Sequence, residues 1–142
     1  MKPQIVIASS NPGKHREIKE ILNGLQIELL TNADLQLNIQ VNETGDTYGE
    51  NAQIKAKAYL NAIGLPVLAD DSGVEVDLLN GAPGIHSARY SPIPNATNAD
   101  RRQHLLEQLH GKPQPWTAHF HCSAVLALPG NEFFETLGRC EG

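Results

Sequence analysis

Ile5-Val6-Ile7-Ala8, four apolar residues that stop abruptly at Ser9-Ser10-Asn11-Pro12-Gly13, constrain the fold more than any other segment of the chain. A short β-branched run bounded by turn formers reads as a buried strand. Beyond the turn, Ile18, Ile21, Leu22 and Leu25 recur at helical spacing, with Lys14, His15, Arg16, Lys19 and Glu20 on the remaining surface. Asn11 suits the cap of that helix, Pro12 its first turn and Gly24 its end. Ile27–Leu30 is a second apolar run, so the chain opens as strand, polar loop, helix, strand. That order belongs to a sheet covered by helices.

Downstream, the pattern continues. Residues 31–46 show little period and read as a loop with some extended structure. Ala52, Ala56, Tyr59, Leu60 and Ile63 mark a second helix, with Glu50, Lys55 and Lys57 nearer its polar side and Gly64 and Pro66 as its stop. Pro66–Ala69 reads as a strand that runs into a turn at Asp70-Asp71-Ser72-Gly73, after which Val74, Val76 and Leu78 alternate with Glu75 and Asp77 as a half-exposed strand. Asn80–Gly84 is a loop by composition. Thr97 and Asp100 form a capping-box pattern ahead of Leu105, Leu106 and Leu109. Trp116–Leu128 and Phe133–Cys140 read as two strands about Pro129-Gly130-Asn131. The 142 residues therefore predict one α/β domain with a sheet at its centre.

Charge narrows the function. Eleven Lys and Arg stand against 16 Asp and Glu, a net charge of -5, without blocks of one sign. A binder of polymeric nucleic acid usually carries a basic stripe, so that class is set aside. No apolar run reaches the length of a membrane span, and the apolar core of Met1–Ala8 is shorter than a signal peptide needs. A cytoplasmic protein is the expectation. Cys122 and Cys140 flank the last turn almost evenly, which makes cross-hairpin neighbours conceivable, but two cysteines are no disulfide framework and reduced thiols are the simpler reading.

Two segments carry chemistry. Ser9–Lys14 combines side-chain oxygens, backbone N–H groups at a helix start and an ammonium, all suited to a polyphosphate. It lacks the second glycine and the Ser or Thr after lysine of a P-loop, and a capped turn with a surface lysine has the same composition. Asp70 and Asp71, consecutive in extended backbone, point to opposite faces, so at most one faces the reacting phosphate while the other holds a second metal-bound water or orients the first by a hydrogen bond; a plain pair of acids in a turn has the same composition. Mg²⁺ favours such a setting, since it takes one or two carboxylates plus water and substrate phosphates. Glu43 and Glu50 flank the start of the second helix, where capping is the simpler role for Glu50, and Lys55 reads by base rate as a solvated lysine. Histidines 15, 86, 104, 110, 119 and 121 show no metal-ligand spacing. His119 and His121 share a strand face, but with no third ligand in view they read as structural or surface residues. Ser72 has no histidine partner for a nucleophilic triad. Trp116, Phe120, Phe133 and Phe134 read as core or sheet-packing residues.

Taken in order, Ser9-x-Asn11-x-x-Lys14, Glu43-Thr44-Gly45, Glu50-Asn51-Ala52-x-x-Lys55-Ala56, Ala69-Asp70-Asp71-Ser72-Gly73, Gly81-Ala82-Pro83-Gly84-Ile85, Ser87-Ala88-Arg89-Tyr90 and Phe120-His121-Cys122 resemble the Ham1, or inosine triphosphate pyrophosphatase, family from Ile5 to Gly142. The resemblance implies a central mixed β-sheet flanked by helices. It implies hydrolysis of deaminated purine nucleoside triphosphates (ITP, dITP, XTP) to the monophosphate and pyrophosphate by metal-assisted water attack on the α-phosphorus, in a cytosolic, Mg²⁺-dependent homodimer. By motif, Ser9, Ser10, Asn11, Pro12, Gly13 and Lys14 hold the triphosphate and Ser72 touches substrate. Glu43 and Asp71 hold Mg²⁺, and Asp71 and Lys14 are catalytic, Asp71 as the base that activates water. Glu50, Lys55 and Asp70 fall on family positions that support those groups, while Arg89 keeps both a structural and a substrate-facing reading. Members usually continue past Gly142 through motifs tied to base recognition: a glycine- and aromatic-containing loop ending in Asp, a lysine and a Ser-His-Arg segment. The expectation is thus a chain lacking the family's C-terminal part, and the alternative function is an inactive nucleotide-binding or interaction module.

Overall fold

A computed structural model describes residues Met1–Gly142 as an α/β fold. Its elements are β1 (Gln4–Ile7), α1 (Pro12–Ile21), β2 (Glu28–Leu30), α2 (Tyr48–Ile63), β3 (Val67–Val76), α3 (Asn98–Leu109), β4 (Ala118–Leu128) and β5 (Glu132–Glu141). Tight 3-10 turns at Asp77–Leu79 and Gly84–Arg89 fill the stretch between β3 and α3. The five strands form one mixed sheet in the order β2-β1-β3-β4-β5. β1 pairs in parallel with β2, Val6 opposite Leu30, and with β3, Val6 opposite Val67. Parallel neighbours need a crossover, and α1 supplies the one between β1 and β2.

The helices start and stop where their caps lie. Asn11 accepts from Gly13 N at 2.8 Å, with Pro12 in the first turn. Thr97 and Asp100 make the reciprocal capping box, Asp100 Oδ2 accepting from Thr97 N at 2.7 Å and Thr97 Oγ1 from Asp100 N at 3.2 Å. Gly64 ends α2 at φ +73°, a left-handed value that a side chain resists. The apolar stripe expected on α1 is only half realised. Ile18 and Leu22 are half-buried, whereas Ile21 is exposed and Leu25 lies beyond the helix end, also exposed.

Two compact units make up the chain. The first comprises Met1–Asp70 and Ala124–Thr136. Its core joins Val6, Ala8, Val67, Ala69, Val125 and Ala127 from the strands to Ala52, Ala56, Tyr59 and Leu60 of α2, with Phe133 packed at the margin. Alternation on the strands and helical spacing on α2 therefore meet on one interface. The second unit comprises Asp71–Ser123 and Leu137–Gly142. Here the first 3-10 turn is tied down by Asp77 N donating to Thr117 O at 3.0 Å, and the second packs on α3.

Several sequence expectations are corrected. Asp70-Asp71-Ser72-Gly73 is no turn: β3 runs unbroken from Val67 to Val76, and the alternating strand ends there, leaving Leu78 exposed in a 3-10 turn. Strand pairing and compensated charge override turn-like composition. Phe120 and Phe134 are 57% and 58% exposed, so among the aromatics named above Phe133 packs on the core and these two do not. Neither cysteine is in a disulfide. Ala118 and Gly142 exchange both backbone hydrogen bonds, and counting from that pair along an antiparallel ladder sets Cys140 opposite Phe120 rather than Cys122.

Candidate active site

The turn between β1 and α1 is built from short internal bonds. Ser9 N donates to Ile7 O at 3.0 Å, Asn11 N to Ser9 Oγ at 3.0 Å, and His15 Nε2 donates from α1 to Ser9 O at 2.6 Å. His15 thus fixes the carbonyl of the loop it follows, a role its surface position in the helical pattern does not announce. Ser9 is buried, while Ser10, Asn11 and Pro12 are exposed.

Opposite this loop, two lysines are committed to carboxylates. Lys14 Nζ donates to Asp70 Oδ2 at 2.7 Å. Lys55 Nζ pairs with Glu43 Oε1 at 2.6 Å and donates to the Asp70 carbonyl at 2.9 Å, which ties α2 and the loop before it to β3. Lys55 is not the solvated lysine of the sequence reading, because only 14% of its side chain is exposed. Glu50 does behave as a cap. Its Oε2 accepts from Asp46 N at 2.7 Å, and its own N–H donates to Thr47 Oγ1 at 3.1 Å. Asn51, fully buried, accepts from Gly45 N at 2.7 Å and so shapes the turn that carries Glu43 toward α2.

A cavity of about 640 Å³ opens in this first unit. Ser9, Ser10, Pro12 and His15 form one wall and Glu43 and Lys55 another, and the loop from Asn32 to Val41 closes a third with Asn38 and Gln40. Its size falls in the range of small-molecule sites. Asn11 and Gly13 are spent on the helix cap, and Lys14 turns its ammonium to Asp70. The 32–41 wall escaped sequence reasoning, since a loop without period offers only its density of amide side chains as a signal. Tyr59 is another such residue: its hydroxyl accepts from Asn32 Nδ2 at 2.8 Å and supports that wall from α2.

In the second unit, Asp71 is 7% exposed and its Oδ1 accepts from Ser72 N at 3.1 Å. Along β3 the buried positions are Val67, Ala69, Asp71, Gly73 and Val76, and the first four alternate, so Asp71 shares a strand face with core residues and Asp70 takes the other. Glu43 in the first unit and Asp71 in the second are each a carboxylate, the donor type that a hard cation such as Mg²⁺ takes. Arg89 closes the Gly84–Arg89 turn, and Gly73 approaches that turn so closely that a Cβ on it would meet Gly84 O at 2.2 Å. Glu75, His119 and His121 also converge in this unit. The third candidate donor that strand β4 lacks in sequence comes from β3.

Comparison with known proteins bears on the family and the fold. The sequence model of the Ham1 family matches residues 5–142. A dITP/XTP pyrophosphatase of Listeria innocua is 40% identical over 140 residues, covering 98% of this chain and 68% of that protein. One of Geobacter sulfurreducens is 43% identical over 140 residues, with 98% and 70% covered. Among solved structures, a HAM1 protein from Coxiella burnetii superposes with a TM-score of 0.83 at 39% identity, covering 99% of this chain and 72% of that one. The Staphylococcus aureus Ham1 protein gives 0.81 at 37% identity, covering 98% and 70%.

Proposed function

Because the chain belongs to the Ham1 family, we propose that it hydrolyses deaminated purine nucleoside triphosphates such as dITP, XTP and ITP to the monophosphate and pyrophosphate. Relatives at about 40% identity over nearly the whole chain bear the name dITP/XTP pyrophosphatase, and they support this reading. The observation that carries it is the cavity in which the Ser9–Pro12 loop meets Glu43 and Lys55.

The residues act as follows. Ser9, Ser10 and Asn11, with the first N–H groups of α1, bind the phosphates at the positive end of that helix, Asn11 and Gly13 giving up their cap contact as they do so. Lys14 exchanges Asp70 for a phosphate oxygen and offsets the charge that grows on the leaving pyrophosphate. Asp71 accepts a proton from the attacking water, whose oxygen bonds to the α-phosphorus as the bridging bond to the β-phosphate breaks. Ser72 contacts the nucleotide beside it. Glu43 and Asp71 would hold Mg²⁺, which would neutralise phosphate charge when bound. Lys55 keeps the Glu43 carboxylate in position, and Asp70 and Glu50 orient their neighbours. Discrimination against ATP and GTP follows where a polar group that pairs with a 6-oxo purine is left unpaired by an amino group. The working protein is a cytoplasmic homodimer in this account; no helix is long and apolar enough to cross a membrane.

The test is pyrophosphate release from dITP, ITP, XTP, ATP and GTP with Mg²⁺. Release favouring the deaminated substrates is expected. Nucleotide-dependent thermal stabilisation with no release from any of the five contradicts the proposal and indicates a binding module instead.

A further inference from the structure

His119 and His121 stand two apart on β4 and therefore on one face, and β3, the next strand in the sheet, carries Glu75 to them. His119 Nε2 lies 3.5 Å and His121 Nε2 3.4 Å from Glu75 Oε2, with the two rings 5.0 Å apart. One donor atom from each residue falls within 4.8 Å of the others. A charge-assisted hydrogen bond would close to about 2.7–2.9 Å. The two separations from Glu75 Oε2 match instead the edge of a tetrahedron around an ion with bonds of about 2.1 Å, which is about 3.4 Å. Glu75 Oε2 is itself buried and accepts no hydrogen bond, so a carboxylate oxygen sits ready among two imidazoles.

Charge around the group points the same way. Asp77 Oδ1 stands 3.9 Å from His119 Nδ1 and adds negative charge behind that ring. On β5, Glu141 falls opposite His119 and Arg139 opposite His121, counted from the Ala118–Gly142 pair, and Arg139 is paired to Glu141. Leaving the imidazoles aside, the carboxylates of Glu75, Asp77 and Glu141 outnumber the Arg139 guanidinium by two charges. A divalent cation balances that excess. Two nitrogens and one carboxylate favour Zn²⁺ and similar transition metals, whereas Mg²⁺ demands oxygen.

We propose that Glu75, His119 and His121 form a transition-metal site, separate from the Mg²⁺ chemistry of catalysis, that takes Zn²⁺ with water completing its coordination and clamps the end of β3 to β4. The clamp stands on these residues alone and does not depend on the enzymatic reading.

The experiment is calorimetric titration of the metal-stripped chain with ZnCl₂, with Co²⁺ as a spectroscopic probe and thermal unfolding as the readout of clamping. Expected are one ion per chain, a raised unfolding midpoint and visible Co²⁺ absorption bands. The isosteric Glu75→Gln and the His119→Gln and His121→Gln variants should each bind at least about tenfold more weakly, since even partners behind a ligand carry that much. The Cys122→Ser/Cys140→Ser chain should bind like wild type. Absence of saturable Zn²⁺ binding by the wild-type chain overturns the proposal. So does unchanged affinity in the doubly substituted histidine chain whose circular dichroism shows it folded, or loss of binding in the cysteine variant.

Discussion

Replacing Gly73 by alanine adds one methyl group where the second unit has no room for it. On the present backbone the new Cβ stands 2.2 Å from the Gly84 carbonyl oxygen and 2.7 Å from Ser87 Oγ, against an ordinary contact of 3.4 Å or more. Retreat of the 84–87 turn by over an ångström breaks what holds it there. Ser87 Oγ donates to Gly84 O at 2.6 Å and accepts from Val74 N at 3.1 Å. Losing part of two hydrogen bonds at about 1 kcal/mol each, with overpacking of about 1–3 kcal/mol, gives a cost of about 3 kcal/mol. For a chain of this size that lowers the unfolding midpoint by about 10 °C. Gly49→Ala is the control. Its Cβ meets Glu135 Oε1 at 2.1 Å, but that atom ends a flexible side chain that can rotate away. Alanine also favours the α2 helix by up to about 1 kcal/mol, so this variant should stay within about 1 kcal/mol of wild type. Urea and thermal unfolding followed by circular dichroism compare the two. If Gly73→Ala unfolds within about 0.5 kcal/mol of wild type, or if both variants fall equally, then backbone proximity at Gly73 is not what fixes that turn.

Lys14→Ala should raise the KM for dITP at least about tenfold and lower kcat as well, because the ammonium serves both bound and reacting phosphates; unchanged steady-state constants would remove Lys14 from the site. Lys55→Met strands Glu43 and the Asp70 carbonyl, and should cost about 1–3 kcal/mol in urea unfolding. Near-zero loss would mean that water replaces the ammonium. Hydrogen bonds from Thr31 N and then Thr31 Oγ1 hold the Asp34 carboxyl below its usual 3.8. A depressed folded value stabilises above the unfolded one and is lost as pH falls through it, so Asp34→Asn should lower the urea midpoint at neutral pH and match wild type in acid well below 3.8. A gap that persists there would contradict the assignment.

Local signals in the sequence were enough for the helices. Asn11, the Thr97 and Asp100 pair, and Gly64 each act within a few residues, and each cap or stop forms where its chemistry puts it. The β4–β5 hairpin was equally legible from Pro129-Gly130-Asn131 between apolar runs. Asp70 and Asp71 misled because their composition is that of a turn. What keeps them in a strand is remote: Lys14 on α1, Lys55 on α2, and pairing of β3 with its neighbours. Distance in sequence also hid Glu75 from His119 and His121. The cavity wall from Asn32 to Val41 had no period to read, for it is shaped by contacts such as Asn32 with Tyr59 rather than by its own alternation.

Asp71 is the residue on which the enzymatic account rests. The direct measurement is Mg²⁺-dependent pyrophosphate release from dITP by the wild-type chain and by Asp71→Asn, with thermal stabilisation by the nucleotide recorded for both. Wild type should release pyrophosphate, the variant should lose at least about 10²-fold as expected for a missing general base, and nucleotide stabilisation should be retained in each. Equal rates from the two proteins would contradict it.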